Sequence, residues 1–230
     1  MKEIVKPLMQ WYAKHARTLP WRSDPTPYHV WLSEIMLQQT RVEAVIGYYD
    51  RFLEELPDVQ SLAAVSEERL LKLWEGLGYY NRARNLQKAA VQICEQYQGK
   101  FPESYEEWLA LPGIGAYTAG AVTSIAFGKK EAAVDGNVYR IYTRLYADDT
   151  EISKTAFQRN VRETVKEALP EEAGRFNQAL MDLGALICIP NGEPHCSVCP
   201  VAEFCKARSE EHTSELQSLE DLVCRLLLEK

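Results

Sequence analysis

The chain has 230 residues, 46% of them hydrophobic, six cysteines and a formal charge of -7. That length suits one large or two small domains, and the composition is that of a globule rather than of a disordered or fibrous chain. No apolar stretch reaches membrane-spanning length, and the net negative charge argues against a uniformly basic nucleic-acid binder.

Strand-like alternation is scarce, while Leu, Ala, Glu, Lys, Arg and Gln recur at helical spacing, so an all-α protein is expected. Ile4 to Ala16 carries an apolar stripe at Ile4, Val5, Leu8, Trp11 and Tyr12. Leu19-Pro20-Trp21-Arg22 follows, and Pro25 and Pro27 break the next stretch into a loop. Val30 to Tyr49 reads as one long helix. On it Glu34 is flanked by Trp31, Leu32, Ile35, Met36 and Leu37. A carboxyl against such surface is desolvated, which raises its pKa toward a value suited to donating a proton. Gln38 and Gln39, uncharged amides at the end of that run, suit contact with base edges and insertion into a stack better than they suit a core.

Asp50 to Trp74 predicts two further helices, with Pro57 as the break and Ser66 as the cap of the second. Gly76-Leu77-Gly78-Tyr79-Tyr80 then makes a glycine turn. Its tyrosines, next to Arg82 and Arg84, read either as core beside a solvated face or as a stacking wedge with phosphate anchors. With Lys88 these arginines form one basic edge, and because phosphate contacts are local, such an edge is compatible with an acidic chain. Cys94, on a helix from Leu86 to Tyr97, reads as a small buried hydrophobe.

Leu111-Pro112-Gly113-Ile114-Gly115-Ala116-Tyr117 is the turn around which the chain is organised. Two glycines after a proline, followed at once by small helix formers, aim backbone N-H groups outward at a helix start, where a phosphate can be held. The spacing of a nucleotide-binding P-loop is missing, which leaves a helix-hairpin-helix over Tyr105 to Ala126 or an ordinary helix-helix turn. Asp135 follows an apolar run and precedes Gly136 and Asn137, which puts it near another helix start, where N-H groups favour the ionised carboxylate. Helices are expected over Val138 to Tyr146 and Ala156 to Leu169, and Phe176 to Gly184 leads to Cys188.

Cys188, Cys196, Cys199 and Cys205 read C-x7-C-x2-C-x5-C, a cluster that calls for metal or disulfides. Met1 to Tyr12 has no long apolar run, so a secretory signal and an oxidising compartment are not expected, and metal is favoured. Spacing alone leaves zinc and an iron-sulfur cluster both open.

The hairpin, an aspartate about twenty residues beyond its tyrosine and the four cysteines together resemble the endonuclease III superfamily of DNA glycosylases. That resemblance implies two helical modules with a cleft between them and one 4Fe-4S cluster on Cys188, Cys196, Cys199 and Cys205, in a loop one residue longer than the usual pattern. The modules expected are a six-helix module over 25–127 and a cluster module made of 1–24 with 128–207. More narrowly, Glu34-Ile-Met-Leu-Gln-Gln-Thr40, Gly76-Leu-Gly-Tyr-Tyr80 followed by Arg82-x-Arg84-Asn85, and Asp135-Gly-Asn137 resemble the MutY-type adenine glycosylases.

The narrower resemblance implies removal of adenine mispaired with 8-oxoguanine or guanine from double-stranded DNA, with Glu34 protonating the base and Asp135 stabilising the oxocarbenium ion. Tyr117 and Asn137 support the aspartate, and Asp182 helps hold adenine. Trp21 and Arg22 lie beside the adenine pocket, and Tyr79 enters the duplex beside the lesion base. Arg82, Arg84 and the hairpin glycines Gly113 and Gly115 meet the backbone. Tyr117 stands where bifunctional relatives carry a Schiff-base lysine, so a monofunctional enzyme is expected. A bifunctional pyrimidine-lesion glycosylase and a non-catalytic DNA-binding module are the alternatives. A monomer acting in the bacterial cytoplasm is expected, without the Nudix-like C-terminal domain of the family.

Arg208 to Ser218 resembles the direct translation of a short-read sequencing adapter, and Leu222 to Lys230 its downstream end. The tail from Arg208 is therefore expected to be an artefact, and Cys224 to have no role. Three basic and six acidic side chains fall in it, so residues 1–207 carry 23 basic and 27 acidic groups.

Overall fold

A computed structural model describes residues 1–209. The tail expected to be adapter-derived, with Cys224, lies outside the described residues from position 210 onward. Among the described residues the secondary structure is entirely helical, and the chain divides into two compact units, Thr18–Phe127 and Met1–Arg17 with the chain from Gly128. The first helix, α1 (Val5–His15), belongs to the second of these units.

The Thr18–Phe127 unit holds eight helical segments, seven of them within 25–127, where six were expected: α2 (Pro20–Ser23), α3 (Pro27–Leu37), α4 (Val42–Glu55), α5 (Val59–Ala64), α6 (Glu67–Trp74), α7 (Asn81–Tyr97), α8 (Tyr105–Leu109) and α9 (Ala116–Phe127). It begins earlier than the expected boundary at Pro25, because Leu19 and Trp21 are buried in its core and Trp21 meets Tyr49 edge-on at 5.4 Å. Trp31, Phe52, Trp74 and Trp108 are fully enclosed there. Burial of each such side chain contributes roughly 1.5–3 kcal/mol.

Helix α3 starts where Pro27 fixes φ and the Thr26 hydroxyl accepts from the His29 N-H at 3.2 Å. Tyr28 and every residue from Val30 to Met36 are buried, the mark of a helix covered on all sides. One covering element is α9, whose run from Thr118 to Ser124 is also buried; its Ala, Gly, Ser and Thr side chains let the two helices approach closely.

The long helix expected from Val30 to Tyr49 is in fact two. Helix α3 ends at Leu37, Gln39 takes a left-handed backbone (φ 57°), and α4 starts at Val42. Local propensity does not call for that break; a half-buried arginine from another helix, Arg82, holds it, as described below. Ser66 caps α6 as expected, its hydroxyl accepting from the Arg69 N-H at 3.3 Å.

The other unit packs α1 on α12 (Ala173–Leu186), with α10 (Gly136–Tyr146) against the same helix and α11 (Thr155–Ala168) completing the core. Leu8, Val138, Val161, Phe176 and Leu180 are enclosed at its centre. Beyond α12 the backbone tightens into single turns at Cys196–Val198 and Ala202–Phe204.

Candidate functional site

In the Thr18–Phe127 unit the site begins with Glu34. It is 7% exposed on the buried face of α3, and its Oε2 accepts the phenol O-H of Tyr117 from α9 at 2.5 Å. The close packing of α3 on α9 sets that pair: Tyr117 is the second residue of α9 and therefore tied to the hairpin. Leu111 and Ile114 anchor the hairpin in the core, and a bond from the Ile114 N-H to the Leu111 carbonyl at 3.2 Å closes the turn.

Gly113 and Gly115 are exposed on this turn. Gly113 is left-handed (φ 74°), and a Cβ there would stand 2.7 Å from the Cβ of Asn85 on α7. Glycine is required twice over, by conformation and by that close approach. Asn85 thus joins the site as a residue that sequence reasoning quoted in a motif but gave no role.

A second edge of the same unit carries Gln38, Gln39, Tyr79 and Tyr80. Tyr79 is 52% exposed and left-handed (φ 46°), and Gln39 is also exposed. Arg82, expected to anchor a phosphate, is turned inward. Its Nη1 donates to the carbonyls of Ile35, Met36 and Gln38, and its Nη2 to those of Leu77 and Gly78. The carbonyls left over at the end of α3 are what it satisfies, and that arrangement ends the helix. Burial lowers the pKa of this guanidinium. Arg84 is half-exposed and paired with Glu67 at 2.7 Å. Trp21 is core, and Arg22 is partly exposed on the single turn α2.

In the other unit Asp135 is the N-cap of α10. Oδ1 accepts from the Val138 N-H at 2.9 Å and Oδ2 from the Asn137 amide at 2.7 Å. Burial pushes the carboxyl above its ordinary 3.8, against the pull of those two donors and of the Arg140 charge. The sequence expectation counted the N-H groups and not the enclosure.

Asn137 passes the arrangement on: its Oδ1 accepts from Arg140 Nη2 at 2.7 Å, and Arg140 also donates to the carbonyls of Gly184 and Cys188, both at 2.9 Å. Gly184 lies so close that a Cβ would meet Asn137 Cβ at 2.5 Å. Asn177, fully buried, accepts from the Ala133 N-H and donates to the Glu131 carbonyl, holding the segment that leads to Asp135. None of Arg140, Gly184 and Asn177 was singled out from sequence. For Arg140 the signal was there: it lies three residues after Asn137, on the same helix face.

Asp182 is fully enclosed on α12, and its oxygens accept from the Arg17 N-H at 3.0 Å and from Arg17 Nε at 2.6 Å. Beyond α12, Cys188, Cys196, Cys199 and Cys205 are free thiols that together line one cavity of about 400 Å³. Burial first, then the neighbouring cysteines, pushes the Cys199 thiol up to about 11. Among the described residues no group of three or more His, Cys, Asp or Glu side chains is set to hold a single metal ion. Arg144 Nη1 borders that space, 3.2 Å from the Cys188 sulfur and 2.9 Å from the Ile189 carbonyl.

Residues 32–167 match the HhH-GPD superfamily of base excision DNA repair proteins. The chain is 41% identical over 222 residues to the adenine DNA glycosylase of Mus musculus, covering 92% of this chain and 43% of that protein. It is 41% identical over 202 residues to the adenine DNA glycosylase of Buchnera aphidicola subsp. Baizongia pistaciae, covering 87% and 57%. The chain thus spans about half the length of the curated relatives it matches. Among solved structures, a thermostable thymine-DNA glycosylase superposes with a TM-score of 0.83 at 29% identity, covering 90% of this chain and 96% of that one. A trapped covalent endonuclease III-DNA intermediate superposes with 0.76 at 25%, covering 92% and 98%.

Proposed function

Because the chain belongs to the HhH-GPD superfamily of base excision DNA repair proteins, we propose that it is a MutY-type adenine DNA glycosylase. It removes adenine mispaired with 8-oxoguanine or guanine after flipping the base from the duplex. The observation that carries this reading is the enclosed Glu34 carboxyl, bonded to the phenol of Tyr117 where a Schiff-base nucleophile would otherwise stand. Adenine is a poor leaving group until it is protonated. Glu34 supplies the proton at N7, and the C1′–N9 bond breaks with its electron pair leaving on the purine. Asp135, held as a helix cap with a second donor from Asn137, provides negative charge to the cationic sugar until water adds. This is the division of labour of two carboxyl groups in glycoside hydrolysis. A phenol cannot form an imine with the sugar, so the strand is left intact.

Base removal inside a duplex needs an element that fills the vacated stack. Exposed Tyr79 and Gln39 supply it, and the Gly113–Gly115 hairpin offers its backbone to a phosphate. The four cysteines hold one 4Fe-4S cluster. Support comes from four cysteines, none of them in a disulfide, lining a single cavity. Iron and sulfide analysis of the purified chain tests this, and one zinc per chain would overturn it.

The test of the activity is single-turnover release of adenine opposite 8-oxoguanine, with strand breaks read before and after alkali. Release with breaks only after alkali is expected. Breaks without alkali would make the enzyme bifunctional, and no release with the thiol site loaded would leave a binding module.

A further inference from the structure

Arg82 holds two turns at once. From the end of α3 it binds the carbonyls of Ile35 and Met36 at 2.9 and 3.1 Å, the Gln38 carbonyl, and the Thr40 hydroxyl at 3.4 Å. From the glycine turn it binds the carbonyls of Leu77 and Gly78 at 3.0 and 3.3 Å. Its guanidinium lies over the rings of Trp74 and Tyr79, at 5.5 and 5.6 Å, and Trp74 itself donates to the Gly78 carbonyl at 3.0 Å. All the Nη hydrogens are thereby committed, and Nε is enclosed without an acceptor.

Each of these turns carries a non-glycine residue in the left-handed region, Gln39 on one and Tyr79 on the other. Such conformations are strained and persist only where the surroundings hold them. Both residues are exposed, and Arg82 binds the carbonyl of the residue just before each, Gln38 and Gly78.

We propose that Arg82 is a positioning residue that fixes the separation of the Gln38–Thr40 and Leu77–Tyr79 turns, so that Gln39 and Tyr79 enter a duplex as one preformed unit. It neutralises no phosphate. Only a planar fork can serve two sets of carbonyls in this way; a lysine offers a point charge and reaches one set. The proposal rests on the reading of this chain as a base-flipping glycosylase.

The experiment uses the full chain with Arg82→Lys, Arg82→Met and Tyr79→Ala, alone and combined, on a duplex with 2-aminopurine at the flipped position. Flipping is read by fluorescence and binding by its salt dependence. Both single Arg82 variants are expected to lower the flipping equilibrium about tenfold while the salt slope stays at the wild-type value. Adding Arg82→Met to Tyr79→Ala is expected to cost less than twofold more, because the arginine acts through the tyrosine. A slope reduced by about 0.9, the signature of one lost phosphate contact, would overturn the proposal. So would wild-type flipping by Arg82→Lys, or an equal loss from Arg82→Met in both backgrounds. A wild-type chain that flips the base and releases no adenine would refute the glycosylase reading and leave this one standing.

Discussion

Glu34 lies near the C-terminal end of α3, where backbone N-H groups are already bonded within the helix, and Tyr117, a side chain from another helix, donates to it. Asp135 lies at the start of α10, where N-H groups are left over, and it takes one of them together with the Asn137 amide. One unit thus holds a buried carboxyl with a side-chain donor brought from another helix, and the other holds a half-buried carboxyl with a donor from its own helix start. The difference teaches how one residue class serves two tasks: position along a helix decides whether the backbone helps to hold the charge. At Asp135 that help does not cancel the burial, which still holds the carboxyl above its ordinary range.

Replacing Glu34 with Gln should have the largest effect. The amide preserves size and burial and removes the proton, so single-turnover release should fall by about 10³-fold or more with little change in melting temperature. Retention of activity would remove Glu34 from the chemistry and end the comparison.

Asp135→Asn should also slow release, by about 10²-fold, but its stability should move the other way. A carboxyl whose folded pKa lies above 3.8 stabilises the fold only below its unfolded pKa, and that contribution is lost as pH rises through the folded value. The asparagine can still cap α10 and carries no charge to desolvate. Its melting temperature should therefore match or exceed wild type at pH 7.5, and the gain should vanish as pH falls toward about 4. A variant that is less stable at neutral pH would mean that the hydrogen bonds outweigh the burial.

Gly184→Ala sharpens the comparison from a distance. The new methyl would stand 2.5 Å from Asn137 Cβ, and Asn137 is the donor to Asp135 Oδ2. Displacing it should lower release about tenfold, since small misplacements at a reacting centre are costly. The Glu34 half of the machinery should not respond: the effect of Glu34→Gln should be the same in both backgrounds.

The helices, the hairpin and the cysteine cluster were legible because each is a local pattern: 3.6-residue periodicity, a Pro-Gly turn, a fixed cysteine spacing. The break at Gln39 was not, since it is imposed by Arg82, more than forty residues away in sequence, and propensity in the Val30 to Tyr49 run gives no hint of it. The same distance hid the inward turn of Arg82, whose neighbours in sequence suggest a basic edge. Asp182 is similar: spacing places it on a helix, but only the fold shows Arg17 engaging both of its oxygens. Asn177 and Gly184 matter through residues more than forty positions away, and no short window of sequence contains both partners.

The smallest effect is expected at Tyr117. Tyr117→Phe removes one donor from Glu34 and leaves the ring and its packing between the hairpin and α3 in place. A net hydrogen bond is worth about 1 kcal/mol, which corresponds to roughly a fivefold change in rate if all of it is felt in the transition state. The phenol then orients the carboxyl. A loss as large as that of Glu34→Gln would mean instead that phenol and carboxyl act as one acid. In that case Glu34 depends on a donor as fully as Asp135 does, and the contrast between the two units becomes one of donor type, side chain against backbone.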